Sequence, residues 1–157
     1  MSKSLKRVRA AILDAGLEDT IIETGKATTA QMAADEVGCD VNQIVKSIVF
    51  AGGDTGDIFL FLTAGGNRVD MDSASALAGE TLVKADAAVI RATTGFAIGG
   101  VSPLGHLTAP RTFLDRTLAG FDVVWAAAGT PHHVFSIAPN TLSQATHAAF
   151  SDFTEKM

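Results

Sequence analysis

One cysteine, Cys39, and no tyrosine are the first absences in this 157-residue sequence. A lone cysteine forms no intrachain disulfide and excludes a four-cysteine zinc site, which points to a reducing compartment and hence the cytoplasm. Apolar runs are short. The longest, such as Val123–Ala128, are strand-sized, far from the ~20 residues that span a bilayer, so no membrane segment is expected. The start, Met1-Ser2-Lys3-Ser4-Leu5-Lys6-Arg7, is basic but lacks the apolar stretch of a signal peptide. Cations are outnumbered, and the net charge of −5 argues against a general DNA or RNA coat, which relies on many Lys/Arg–phosphate contacts. Nucleotide loops of the G-x-G-x-x-G and G-x-x-x-x-G-K-[ST] kinds are missing, as is H-E-x-x-H.

What is present is a globular composition, 47% hydrophobic, with no internal repeat and no low-complexity linker, so one domain over 1–157 is expected. Leu5, Val8, Ile12 and Leu13 repeat at helical spacing, with Ser2 or Ser4 as the cap and Gly16 as the stop. Thr20–Glu23 reads as a strand. Thr28 or Thr29 caps a helix over Ala30–Val37 that Gly38 closes, and Asp40 caps a single turn through Gln43. Ile44–Phe50 and Ile58–Thr63 flank a glycine-rich turn and form a hairpin. A short helix starting at Asp72 or Ser73, a brief strand at Thr81–Val83 and a helix from Asp86 to about Ala92 come next. Strands at Thr112–Leu114, Val123–Ala126 and Val134–Ile137 precede a helix after Pro139. Strands outnumber helices without alternating with them, so the expected class is α+β: a mixed, mostly antiparallel, barrel-like sheet surrounded by helices.

Three features carry chemistry. In a strand Ile44, Lys46, Ile48 and Phe50 share one face, and an ammonium there costs several kcal/mol, to order of magnitude, unless it is paired or hydrated. Lys46 is thus either a strand-end lysine that snorkels outward or a cation at a pocket mouth, awaiting an anionic or carbonyl-bearing ligand. Gly99-Gly100-Val101-Ser102-Pro103-Leu104-Gly105 is either a tight connection or a backbone nest of N–H donors. Ser102 fails as a nucleophile, because Gly100-Val101-Ser102-Pro103-Leu104 misses G-x-S-x-G and the following proline disfavours helical geometry. His132 and His133 point to opposite faces of any strand and cannot chelate one metal together, though one imidazole can line a pocket. Asp70-Met71-Asp72 lacks the remaining calcium-loop pattern and reads as loop and helix cap. Lys3, Lys6, Arg7 and Arg9 form a solvated helix face or a small basic patch.

Two strings in order, Asn42–Phe50 around Lys46 and Thr94–Gly105 around the glycine–proline loop, resemble the YbaK/EbsC (prolyl-tRNA-synthetase-associated) aminoacyl-tRNA deacylase family from about Leu5 to Phe150. The resemblance implies a free-standing hydrolase that deacylates misacylated tRNA in trans, such as tRNA for proline carrying cysteine or alanine, with prolyl-tRNA synthetase as a partner and no cofactor or metal. It implies Lys46 and Gly99 as catalytic, and Gly100, Val101, Ser102, Pro103 and His133 as substrate-binding. Lys46 would hold the terminal adenosine or its phosphate, and the loop amides would sit against the ester. Ala127 and Val134 stand where cysteine-editing members tend to carry serine and aspartate, which leaves the edited amino acid open. The rival reading is a non-catalytic module that holds a tRNA end, a nucleotide or a synthetase; hydrolysis of a different small aminoacyl ester is the third.

Overall fold

Ser2 opens the first helix of the computed structural model, which describes residues 2–156; Met1 and Met157, the outer bounds of the expected domain, lie outside the described residues. Its hydroxyl accepts the Leu5 N–H at 3.0 Å, and α1 (Lys3–Asp14) buries Leu5, Val8 and Ile12 one turn apart. The expected strand after it shrinks to β1 (Ile22–Glu23). Thr20 explains this: its hydroxyl donates to Ser136 O at 2.7 Å and accepts Ser136 N–H at 3.0 Å, standing in for a backbone rung. Thr29 caps α2 (Ala30–Val37), and Gly38 ends it at φ 73°. Asp40 and Gln43 form a reciprocal capping box around the turn Val41–Gln43.

β2 (Ile44–Gly52) and β3 (Ile58–Ala64) form the antiparallel hairpin at the centre of the sheet. All seven residues of β3 are buried, so it is covered on both faces. Ile58, Leu60, Leu62 and Ala64 join the core that α1 completes, while Phe59 and Phe61 pack with Phe153 and the small residues Ala74 and Ala78. Period two thus divides one strand between two cores. α3 (Met71–Ala78) starts at Met71, before the expected Asp72 or Ser73, and is capped by Asp70, whose carboxylate accepts both the Ser73 N–H and the Ser73 hydroxyl. Asp70 suits the role because its own backbone is extended, as an N-cap must be.

β4 (Leu82–Lys84), α4 (Ala87–Thr94), β5 (Arg111–Asp115), β6 (Val124–Ala127), β7 (His133–Ile137), α5 (Pro139–Thr146) and β8 (Phe150–Ser151) complete the chain. The strands order as β1-β7-β6-β2-β3-β5-β8, with β4 also against β2. The sheet is mixed: β1–β7, β2–β3, β2–β4 and β6–β7 are antiparallel, and β2–β6, β3–β5 and β5–β8 are parallel. The placement of β6 and β4 leaves a gap along one edge of β2. β6 meets β2 only at Ile44–Val45 and β4 only at Phe50–Gly52, so Lys46–Val49 has a partner strand on one side alone. No helix among the described residues is long and apolar enough to cross a membrane.

Candidate active site

At that break in strand pairing lies a cavity of about 850 Å³. Its walls are the entry to α2 and its first residues (Thr28–Gln31), the first half of β2, the turn Ile98–Gly99 with Val101, the end of β6, and Thr130, Pro131 and His133. Lys46, Gly99, Val101 and His133, sequence-flagged and far apart in the chain, line this one space. Gly100, Ser102 and Pro103 do not; they lie behind it. Ser102 is fully buried, its hydroxyl accepting the Leu104 N–H at 3.2 Å and its carbonyl meeting His106 Nε2 at 2.5 Å.

Lys46 follows Val45 at the point where β2 leaves β6, facing Thr63 across the hairpin. Its ammonium donates to the Asn67 carbonyl at 2.5 Å. Partial burial pushes its pKa below the usual lysine value, and the neighbouring Arg68 adds to this, while the Asp115 carboxylate opposes them. A cation in this setting is held in place by one neutral acceptor, with further donor capacity to offer a ligand.

The glycine turn lines the same cavity through Ile98, Gly99 and Val101. Gly100 N–H closes the turn onto Ala97 O at 3.0 Å, so that amide is already used. Gly99 sits at the third position of this turn with φ +92°, a conformation that needs glycine. The N–H groups of Gly99 and Val101 donate to no other described residue, and both residues line the cavity. The loop is stapled from outside. Arg7 donates to Gly105 O at 2.6 Å and Gly95 O at 2.7 Å and lies 4.8 Å over the Phe96 ring. Arg7 is therefore not part of a surface basic patch, and Arg9 pairs with Asp19 at 2.7 Å. Their long side chains reach groups that helical spacing alone does not reveal.

A third wall carries His133, the first residue of β7, while His132 in the loop before it does not line the cavity. His133 Nδ1 lies 2.7 Å from the Thr130 hydroxyl, which also accepts the His132 N–H at 3.1 Å, and His133 Nε2 has no partner among the described residues. Gly100 packs directly on this loop: a Cβ there would stand 3.1 Å from Gly129 O and Thr130 Cα. Ala127 and Val134 are paired across β6 and β7 and present apolar groups to the cavity. Thr130 lines the cavity, as the string Gly129-Thr130-Pro131-His132 suggests from the sequence. Asn67, which holds Lys46, and Asp115, which holds Asn67, are the supports that sequence reasoning misses. Among the described residues, no three His, Cys, Asp or Glu side chains stand together as a metal cluster.

A family model described as the aminoacyl-tRNA editing domain matches residues 24–145, which hold all of these walls. The chain is 31% identical over 144 residues to the uncharacterized protein YwhH of Bacillus subtilis, covering 90% of each. It is 25% identical over 129 residues to EbsC of Enterococcus faecalis, named as a candidate Cys-tRNA(Pro)/Cys-tRNA(Cys) deacylase, covering 82% of this chain and 78% of that one. A solved structure titled as a candidate trans-editing enzyme for prolyl tRNA synthetase superposes with a TM-score of 0.92 at 42% identity, over 99% of both chains.

Proposed function

The chain belongs to the aminoacyl-tRNA editing domain family and is an aminoacyl-tRNA deacylase, and on that premise we propose which bond it breaks, on what, and with which residues. The substrate is a tRNA, that for proline first among candidates, carrying a small wrong amino acid such as alanine or cysteine. The deacylation runs in trans, in the cytoplasm beside prolyl-tRNA synthetase.

The observation that carries this reading is the meeting of Lys46 with two unused amides, those of Gly99 and Val101, in one cavity. At about 850 Å³ the space falls within the ~300–1,000 Å³ of small-ligand sites, so it has room for an aminoacyl group together with its nucleoside. Water adds to the ester carbonyl, negative charge grows on the carbonyl oxygen, and the free N–H groups of Gly99 and Val101 meet that charge without reorganising. The C–O bond to the ribose then breaks, the ribose oxygen takes up the proton that the attacking water gives up, and the free amino acid departs. Lys46 anchors the substrate's terminal adenosine or phosphate through the ammonium protons that Asn67 does not take. Gly100, Ser102 and Pro103 support the turn from behind, a role that suits their burial. His133, oriented by Thr130, and the apolar pair Ala127 and Val134 bound the side-chain end. The methyls of Ala127 and Val134 suit a small side chain at that end, with His133 as its one oriented polar neighbour.

The test is single-turnover deacylation of tRNA for proline charged with alanine, cysteine, serine or proline. Wild type is expected to release at least one wrong amino acid well above the spontaneous rate, and Lys46→Ala to lose that release. Absence of release from every substrate by wild type would overturn the hydrolase reading, and tight binding without turnover would favour a binding module.

A further inference from the structure

We propose that Asp115 is a positioning residue for deacylation: it locks the turn whose Asn67 carbonyl holds Lys46. This rests on the reading of Lys46 as a substrate-contacting residue. Asp115 ends β5, is 2% exposed, and has no ion pair among the described residues. A carboxylate in that position needs several donors to offset its lost hydration. It has three: Thr117 N–H on Oδ1 at 3.0 Å, and Ala64 N–H at 3.0 Å and the Asn67 side-chain amide at 2.9 Å on Oδ2.

The division between the two oxygens is the informative part. Capping the turn Arg116–Gly120 requires only Oδ1 on Thr117 N–H. Oδ2 instead reaches the end of β3 and the turn after it, which capping does not require. That turn is fixed on every side. Asn67 N–H donates to Ala64 O at 2.9 Å, the Asn67 amide also donates to the Thr117 hydroxyl at 3.0 Å, and Gly66 N–H donates to Asn42 Oδ1 at 2.8 Å. With its N–H groups all engaged, Asn67 presents its carbonyl to Lys46 in a single orientation. The chain of contacts runs Asp115, Asn67, Lys46, with no free rotor between the carboxylate and the carbonyl.

Charge acts in the same direction as geometry. The groups around Lys46 are Arg68 beside it and Asp115 behind its acceptor; Lys26 and His133 line the same cavity, and Glu36 of α2 accepts the Gly25 N–H at 3.0 Å. Burial and Arg68 both favour the neutral amine, and Asp115 favours the ammonium. Removing the Asp115 charge therefore makes Lys46 lose its proton at lower pH.

The experiment compares wild type, Asp115→Asn and Asn67→Ala. It reads the titration midpoint of the Lys46 side chain by nitrogen-15 NMR and kcat/KM against pH on the best mischarged tRNA. Asp115→Asn is expected to lower the Lys46 midpoint and to bring the alkaline fall of kcat/KM to lower pH, effects that loss of stability alone does not produce. Both variants are expected to lose on the order of 10- to 100-fold in kcat/KM, the scale of a small misplacement at a reacting centre. A folded Asp115→Asn with the wild-type midpoint and wild-type kcat/KM would overturn the proposal. Should Asp115→Asn fail to fold, Asn67→Ala decides, since it removes the tether and keeps the buried charge; unchanged kcat/KM there would also overturn it. If wild type deacylates nothing, the reading of the reaction fails, while the Lys46 midpoint still reports whether Asp115 holds that ammonium.

Discussion

Gly99→Ala separates the donor turn's role in catalysis from its role in stability. Gly99 has φ +92°, and a Cβ built there meets nothing within 4 Å. The steric cost of the methyl is therefore nil, and what remains is the cost of holding an L-residue in left-handed backbone, about 1–2 kcal/mol. For a chain of this length each kcal/mol moves Tm by roughly 2–4 °C, so a fall of about 2–8 °C is expected. Gly79 provides the matched control. It closes α3 at φ +83°, also with nothing within 4 Å of its Cβ, and it lies outside the cavity. Gly79→Ala is expected to lose the same stability and no activity. In Gly99→Ala even a partial rotation of the strained peptide moves an amide donor, and removal of one such donor typically costs about 10²–10³ in rate. Thermal melts and single-turnover deacylation of both variants make the comparison. Equal rates in the two variants would refute the assignment of the turn as a donor.

Lys46→Met is expected to abolish deacylation and leave Tm at or above that of wild type, because burial disfavours the ammonium in the folded state. The sign comes from linkage: with the folded pKa lowered, wild-type stability rises with pH until both states are neutral, so the gap between variant and wild type narrows toward the ordinary lysine pKa of about 10.4. Phe61→Ala removes a fully buried ring that stacks on Phe113 at 4.9 Å and meets Phe153 edge-on at 5.0 Å. It should cost about 3–5 kcal/mol, read by urea or thermal unfolding as a Tm fall of roughly 6–20 °C. Ser47 Oγ is buried with no partner, so Ser47→Ala is expected to raise stability by about 1 kcal/mol in the same unfolding assay.

Local chemistry is the part of the fold that is legible in the sequence. Thr29, Asp40 and Gly38 mark their helix ends because caps are satisfied within a few residues. The central hairpin is visible for the same reason, though β2 runs on to Gly52 and β3 to Ala64. β8 is invisible: it is two residues long and pairs in parallel with Leu114 and Asp115, far earlier in the chain. Lys46 stands out because an ammonium on an apolar strand face is costly and so informative. Its supports do not stand out. Asn67 acts through its backbone carbonyl, which every residue type has, and Asp115 lies one residue past an expected strand, where any polar residue would pass unremarked. The Gly99–Gly105 string suggests a run of donors, but which amides are free depends on the closure from Gly100 to Ala97 and on packing against Gly129.

A crystal structure with a non-hydrolysable alanyl-adenosine amide tests the proposed donor geometry most directly. The amide carbonyl oxygen should lie about 2.7–3.1 Å from Gly99 or Val101 N–H, with the nucleoside beside Lys46 and the methyl toward Ala127 and Val134. A ligand bound elsewhere, or seated in the cavity with its carbonyl turned away from both amides, would contradict it.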